Sequence, residues 1–237
     1  MLYPATAEKA HITEIFSSLQ GEGTHLGERH LFIRFQECHI HCTYCDELDK
    51  EGRAMNRAEV LEEVDTLLRQ EGVHSFVSFT GGEPLLYTAF MLPLIKELQV
   101  RGLKIYLETG GILWKPLQES LRSFDCIAMD MKPSSVTGER NFYKEHETFL
   151  RTAIQKEVFI KIVLSKNISI EEFDKLVDIV FRVKKNIPLI LQPISTEIEG
   201  HNDIALMQLL QTLQQRAAEK LPDVRIIPRF HKILGIR

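Results

Sequence analysis

Short apolar runs alternate along the chain with longer stretches in which apolar residues return every three or four positions. The first run, residues 30–35, centres on Leu31, Phe32 and Ile33 and predicts a β-strand carrying one cation, Arg34. Asn56 then offers an N-cap to a helix whose apolar positions Val60, Leu61, Val64, Leu67 and Leu68 fall at helical spacing. Residues 75–80 read as a buried strand that runs into Gly81, Gly82, Glu83 and Pro84, with the proline placed for the first turn of a following helix. The order repeats with a helix over residues 90–100, a strand over 103–108 and a glycine-bearing loop at Thr109, Gly110 and Gly111. A fourth strand begins at Cys126 and ends in Asp130, Met131 and Lys132, and a fifth, residues 158–164, carries Lys161. A helix from about 169 to 184, a sixth strand at 187–193 flanked by prolines, a helix capped by Asp203 and a short last strand at 224–227 complete the series.

Strands alternating with helices imply a parallel sheet. The unusual residues gather at the carboxyl ends of the strands, so the expected class is α/β, a partial (β/α) barrel of about six parallel strands with its site on that face. A chain of 237 residues with 44% hydrophobic content can bury the core of such a fold, and a single domain over residues 1–237 is expected. Residues 12–23 add less: an apolar start gives way to small and polar residues, with Gly21 and Gly23 bracketing Glu22 in a plain turn or in a close backbone approach to a ligand.

Composition narrows the partners. A formal net charge of -4 without a long run of like charges argues against a nucleic-acid surface and for a small-molecule partner. No apolar stretch is long enough to cross a bilayer, so no membrane partner and a cytoplasmic location are expected. The chemistry concentrates in Cys38, Cys42 and Cys45, spaced C-x3-C-x2-C just after the first strand. Three thiolates can hold three irons of a [4Fe–4S] cluster and leave the fourth open to a small molecule. Zinc is the alternative, with His39 or His41 as fourth ligand, but the distant ligand pair of a closed zinc site is missing. The fourth cysteine, Cys126, reads as a small buried strand residue. Arg34 is either a solvated strand residue or a carboxylate anchor. Taken on their own, Asp130 and Lys132 read as a surface ion pair, worth ~0–1 kcal/mol.

The cysteine loop followed by Thr80, Gly81, Gly82, Glu83 and Pro84 resembles the radical S-adenosylmethionine superfamily. Residues 19–23, Arg34, residues 107–109, 130–135 and 231–235 are similar to the 7-carboxy-7-deazaguanine synthase family, nearly end to end. That resemblance implies conversion of 6-carboxy-5,6,7,8-tetrahydropterin to 7-carboxy-7-deazaguanine with loss of ammonia, on the route to 7-deazapurines such as queuosine. It implies a [4Fe–4S] cluster on Cys38, Cys42 and Cys45, with S-adenosylmethionine cleaved to a 5′-deoxyadenosyl radical that abstracts hydrogen at C6. By the same resemblance Tyr44, Cys45, Asp46, Gly82, Glu83, Asp130, Met131 and Lys132 meet the cofactor, and Leu19, Gln20, Gly21, Arg34, Thr80, His231 and Arg237 meet the pterin. A homodimer and a flavodoxin- or ferredoxin-type electron donor are implied likewise. The chain departs from the family pattern at Glu47, where a magnesium-binding threonine is usual. A carboxylate is a sound Mg2+ ligand, so Glu47 is expected to hold the ion. It departs again at Arg229 and Phe230, which displace the usual glutamine before the terminal His231, and at Asp130 and Met131, where serine and proline often precede the lysine. Two other readings stand beside this one: a different radical S-adenosylmethionine enzyme, such as an activase of glycyl-radical enzymes, and a non-catalytic zinc-binding module.

Overall fold

A computed structural model of the protein describes residues 8–48, 50–194 and 203–236. The chain opens with β1 (Lys9–Leu19), a single 3-10 turn at Gly23–His25, β2 (Arg29–Phe35) and β3 (Arg53–Asn56). Then come α1 (Arg57–Glu71), β4 (Phe76–Gly81), α2 (Thr88–Val100), β5 (Lys104–Thr109), α3 (Trp114–Ser120) and β6 (Cys126–Met131). The remainder is α4 (Ser134–Thr137), α5 (Tyr143–Ala153), β7 (Glu157–Leu164), α6 (Ile170–Lys184), β8 (Leu189–Pro193), α7 (Ile204–Ala218), β9 (Val224–Ile226) and α8 (Phe230–Leu234).

The nine strands among the described residues form one sheet in the order β3-β1-β2-β4-β5-β6-β7-β8-β9. From β2 to β9 the neighbours run parallel, whereas β1 pairs antiparallel with both β2 and β3. The six expected strands and the short last one are therefore present, and seven strands rather than about six are parallel. The strands β1 and β3 are additions. Along β1 only Ala10, Ile12 and Phe16 are buried, and β3 buries Met55 alone, so neither displays a full alternating pattern.

The side chains alternate across this sheet. Leu31, Ile33, Val77, Phe79, Leu107, Ile127, Met129, Ile160 and Leu191 pack outward into the main core with helices α1, α2, α5, α6 and α7. The opposite face collects Phe76, Tyr106, Cys126, Ala128, Phe159 and Ile190 from five adjacent strands into a second cluster, the interior of the curved sheet. Further along the same face of each strand that interior turns polar: Arg34 on β2 registers with Thr80 on β4, and Asp130 on β6 with Lys161 on β7. Strand parity thus places a ring of charged and polar groups at the carboxyl ends, over an apolar middle layer.

Local signals behave as the chemistry requires. Asn56 accepts from the Glu59 N–H at 3.0 Å while Glu59 accepts from the Asn56 N–H at 2.6 Å, a complete capping box for α1. Asp203 accepts from the Leu206 N–H at 3.0 Å. Gly81 has φ +111°, and a Cβ there would lie 2.2 Å from the Phe35 carbonyl oxygen. A Cβ at Gly82 would lie 2.1 Å from that of Glu37. The glycine pair therefore lets the end of β4 press against the backbone that enters the cysteine loop. No helix of the described residues is long and apolar enough to cross a membrane.

Candidate active site

The loop after β2 carries the three thiols into one cavity of about 190 Å3, also lined by Tyr44, Gly82, Glu83, Asp130 and Lys132. Its backbone is tied to the segment after β6. The Thr43 N–H donates to the Thr137 carbonyl at 2.9 Å, the Thr43 hydroxyl to that of Val136 at 3.0 Å, and the His41 N–H to Glu139 Oε1 at 2.6 Å. Ile40 and Cys42 pack with Ile112 and Phe142, with Cys38, Tyr44 and Cys45 at the edge of that cluster. Cys38, Cys42, Cys45 and Cys126 are all free. Neither His39 nor His41 lines the cavity that the three thiols share, so the imidazole a closed zinc site needs is not brought to it. Burial, with the nearby Glu83 carboxylate, pushes the Cys38 thiol up to about 11, and burial raises Cys42 as well. A metal bound here displaces those protons.

Asp130 and Lys132 correct the expectation of a surface pair. Their side chains are 12% and 13% exposed, and Lys132 Nζ donates to Asp130 Oδ2 at 2.7 Å and reaches Tyr44 Oη at 3.4 Å. Burial opposes the charge on Lys132, but Asp130 more than offsets it and holds the ammonium charged. Lys161 joins the ring, 2.5 Å from Glu22 Oε2 and 3.7 Å from Asp130. Burial raises the Glu22 carboxyl and Lys161 lowers it further, so Glu22 stays ionised. Met131 is fully buried on the helix side, so any contact of this residue with a ligand in the cavity is made by its backbone. His146 of α5 sets that backbone, accepting the Lys132 N–H at Nε2 (3.0 Å) and donating from Nδ1 to the Gly111 carbonyl (2.9 Å).

Glu83 lies at the cavity wall, where it accepts from the Leu85 N–H at 3.1 Å, the Thr109 hydroxyl at 2.9 Å and the Gly110 N–H at 2.9 Å. Burial still raises its carboxyl, because these donors only partly replace water. A fully buried carboxylate in a polar cavity favours a cationic ligand.

A second cavity of about 350 Å3 adjoins the first and shares Glu22, Arg34, Asp46, Glu47, Thr80 and Glu108 with it. Here Glu108 accepts from Gln20 Nε2 at 2.9 Å and from the Thr80 hydroxyl at 2.6 Å. Arg34 lies 3.3 Å from both Glu14 and Glu47, with its guanidinium 5.6 Å from the centre of the Phe16 ring. Glu47 Oε1 is also 2.8 Å from Lys50 Nζ, while its Oε2 is buried without a hydrogen-bond partner among the described residues. Leu19 stands half exposed at the lip. The tail closes one side: the Phe230 N–H donates to the Gly21 carbonyl at 2.9 Å, and a Cβ on Gly21 would meet His231 Nδ1 at 2.2 Å. Arg229 and Lys232 reach Asp46 at 2.8 and 3.4 Å and hold it ionised against the cost of burial. Arg237 lies outside the described residues.

The sequence reading had not assigned Glu22, Lys161, Glu108, Thr109, His146 or Arg229 to the site. A signal for Glu108 and Lys161 was available, since each stands two residues beyond an aromatic on the same face of its strand, Tyr106 and Phe159, as Arg34 stands two beyond Phe32 on β2. Asp130 Oδ1 and Gln192 Oε1 are buried at the first cavity with no hydrogen-bond partner among the described residues. Three convergent thiols, a buried carboxylate and orphaned acceptors fit an iron–sulfur cluster with a polar, cationic cofactor beside it.

The sequence pattern of the Radical SAM superfamily matches residues 32–180, more than half of the chain, which belongs to that superfamily. Over 95% of its length the chain is 34% identical to 7-carboxy-7-deazaguanine synthase of Geobacter sulfurreducens, covering 97% of that protein. It is 32% identical to 7-carboxy-7-deazaguanine synthase of Archaeoglobus fulgidus, over 97% of this chain and 100% of the relative. Among solved structures, QueE from Escherichia coli superimposes with a TM-score of 0.63 at 21% identity, over 97% of this chain and 98% of that one. Streptococcus suis SuiB bound to S-adenosylmethionine gives 0.59 at 20% identity, over 81% and 48%. Within the superfamily the chain belongs to the 7-carboxy-7-deazaguanine synthase family.

Proposed function

We propose that the protein contracts the ring of 6-carboxy-5,6,7,8-tetrahydropterin to give 7-carboxy-7-deazaguanine with loss of ammonia, on a route to 7-deazapurines such as queuosine. The observation that carries this reading is the pair of adjoining cavities, one walled by Cys38, Cys42 and Cys45 and the other by Arg34, Gln20 and Thr80. When bound on Cys38, Cys42 and Cys45, a [4Fe–4S] cluster together with S-adenosylmethionine supplies an electron and a carbon radical able to take hydrogen from substrate. The rest is positioning and exclusion of water, for which held geometry can be worth ~7–11 kcal/mol of barrier.

In this proposal Glu83 receives the ammonium of the cofactor, and Tyr44, Asp46, Gly82, Asp130, Lys132 and the Met131 backbone surround the remainder. The Glu22–Lys161–Asp130–Lys132 chain keeps four buried charges mutually neutralised, so their donors and acceptors stay fixed while a ligand exchanges. Arg34 takes the substrate carboxylate through a forked, charged hydrogen bond. Gln20 and Thr80 hold Glu108 as an acceptor toward the second cavity, and Leu19, Gly21 and His231 close over the pterin. Glu47 Oε2 is the atom that would hold Mg2+, an ion commonly bound by one or two carboxylates. A flavodoxin- or ferredoxin-type donor and a homodimer complete the proposal.

The test is anaerobic incubation of the reconstituted, reduced protein with carboxytetrahydropterin. Accumulation of 7-carboxy-7-deazaguanine is expected. Deoxyadenosine without that product would point to a different radical S-adenosylmethionine enzyme, and stoichiometric zinc in place of a cluster would remove the catalytic reading altogether.

A further inference from the structure

At the amino ends of the strands, on the far side of the Tyr106 ring from the catalytic mouth, lies a second group of metal-ligating side chains. His25 comes from the 3-10 turn after β1, Glu28 from the approach to β2 and His30 from β2 itself, and their ligating atoms lie within 4.8 Å of one another. His25 Nδ1 is 3.0 Å from Glu28 Oε1, and His30 Nε2 is 3.9 Å from Glu28 Oε2. Ligands held ~2.0–2.1 Å from a tetrahedral ion are ~3.3 Å apart, so small side-chain shifts bring the three onto one centre.

Two further observations point to a ligand. His30 is fully buried, yet among the described residues its Nε2 has no hydrogen-bond partner, an arrangement that leaves a polar atom unsatisfied. Its other nitrogen, Nδ1, is 2.7 Å from the Ser78 hydroxyl, which fixes the ring with Nε2 turned toward Glu28. His25 also faces a carboxylate at each nitrogen, Glu28 at Nδ1 and Glu157 at 3.0 Å from Nε2, although a neutral imidazole carries only one N–H. A histidine that donates to a carboxylate through one nitrogen and ligates through the other is the usual arrangement at a metal.

We propose that His25, Glu28 and His30 bind a divalent transition-metal ion, zinc in the first instance, at a site separate from the cluster cavity. Two imidazoles and a carboxylate suit zinc, with water in the fourth position. The Glu28 side chain is 41% exposed and provides the route of entry. The ion joins the turn after β1 to β2 and closes the amino end of the curved sheet, a structural role away from the reacting groups.

The experiment loads the full-length protein with its cluster first, so that the loop cysteines are occupied. Zinc chloride is then added, the sample is dialysed against metal-free buffer, and zinc and iron are counted by elemental analysis. About one zinc per chain beyond the cluster iron is expected, with binding weakened roughly tenfold or more in Glu28→Gln and His30→Gln. Zinc should also raise the thermal midpoint of the wild type and not that of Glu28→Gln, whose half-exposed position keeps the test valid if the buried His30 variant fails to fold. Cys126, 3.5 Å from His25 Nε2, belongs to a competing ligand set with Glu157, so Cys126→Ser should leave zinc retention unchanged. No zinc uptake, uptake indifferent to Glu28→Gln, or loss of zinc in Cys126→Ser would overturn the proposal.

Discussion

Arg34 shows how one residue can read as scaffold or as chemistry. In a strand it is a lone cation among apolar neighbours, and only the parity of β2 puts it inside, between Glu14 and Glu47 and over Phe16. A substrate carboxylate has to compete with those two acids for the guanidinium. Arg34→Lys removes the fork but keeps the charge, so the KM for the carboxypterin should rise about 10- to 100-fold, the range of a lost charge-assisted hydrogen bond of ~1.5–3 kcal/mol, with S-adenosylmethionine binding unchanged. Equal losses for both ligands in steady-state kinetics would contradict that role. Glu47→Ala should abolish the response of turnover to Mg2+; an unchanged magnesium titration would remove Glu47 from the metal site. His146 gives a pH signature. Burial lowers its imidazole from 6.5 to about 4, so between those values the unfolded chain takes up a proton that the folded chain refuses. Its contribution to stability is full above about pH 6.5 and is lost as pH falls toward 4, with a slope of at most ~1.4 kcal/mol per pH unit. Denaturation of His146→Gln across pH 4–7 should show a shallower slope than the wild type by up to that amount.

At the scale of elements, alternation of strand and helix was legible because the parallel strands other than β9 bury both faces and the long helices bury one. Asn56 and Asp203 announced their helices through side-chain chemistry that needs no tertiary context. The hairpin β1–β2 was not legible, since β1 lies with much of its surface half exposed and buries little apolar area. The short helices α3 and α4 lack a side-chain cap, as does α5, and the connecting residues hid them. The resemblance gives Gly82 a contact with the cofactor, whereas the first duty of the glycine pair is contact between two backbones. Gly82→Ala should therefore displace the loop at Glu37 and lower cluster iron per chain well below four, measured after anaerobic reconstitution, even though no ligating residue is altered. Full iron content in that variant would show that the contact yields without cost.

For the whole molecule, the catalytic mouth is assembled from parts far apart in sequence: the loop after β2, the ends of β4 to β8 and the tail helix α8. The cysteines and the residues after β4 were legible because their spacing is local. Glu22 with Lys161, Gln20 with Glu108 and Asp46 with Arg229 were not, because each pair exists only once the sheet is curved and the tail is docked. If α8 closes the substrate side, removing residues 229–237 should leave the cluster intact and raise deoxyadenosine formation relative to product, as solvent and misplaced substrate reach the cofactor. By the resemblance to its family, the proposed ring contraction takes hydrogen from C6 and returns it to the cofactor. It is tested most directly by anaerobic turnover of substrate deuterated at C6, with mass spectrometry of both product and residual S-adenosylmethionine. The expected result is 7-carboxy-7-deazaguanine in excess of the cofactor consumed, with deuterium appearing in the recovered cofactor. Deoxyadenosine formed in step with cofactor loss, with no deazaguanine, would contradict it.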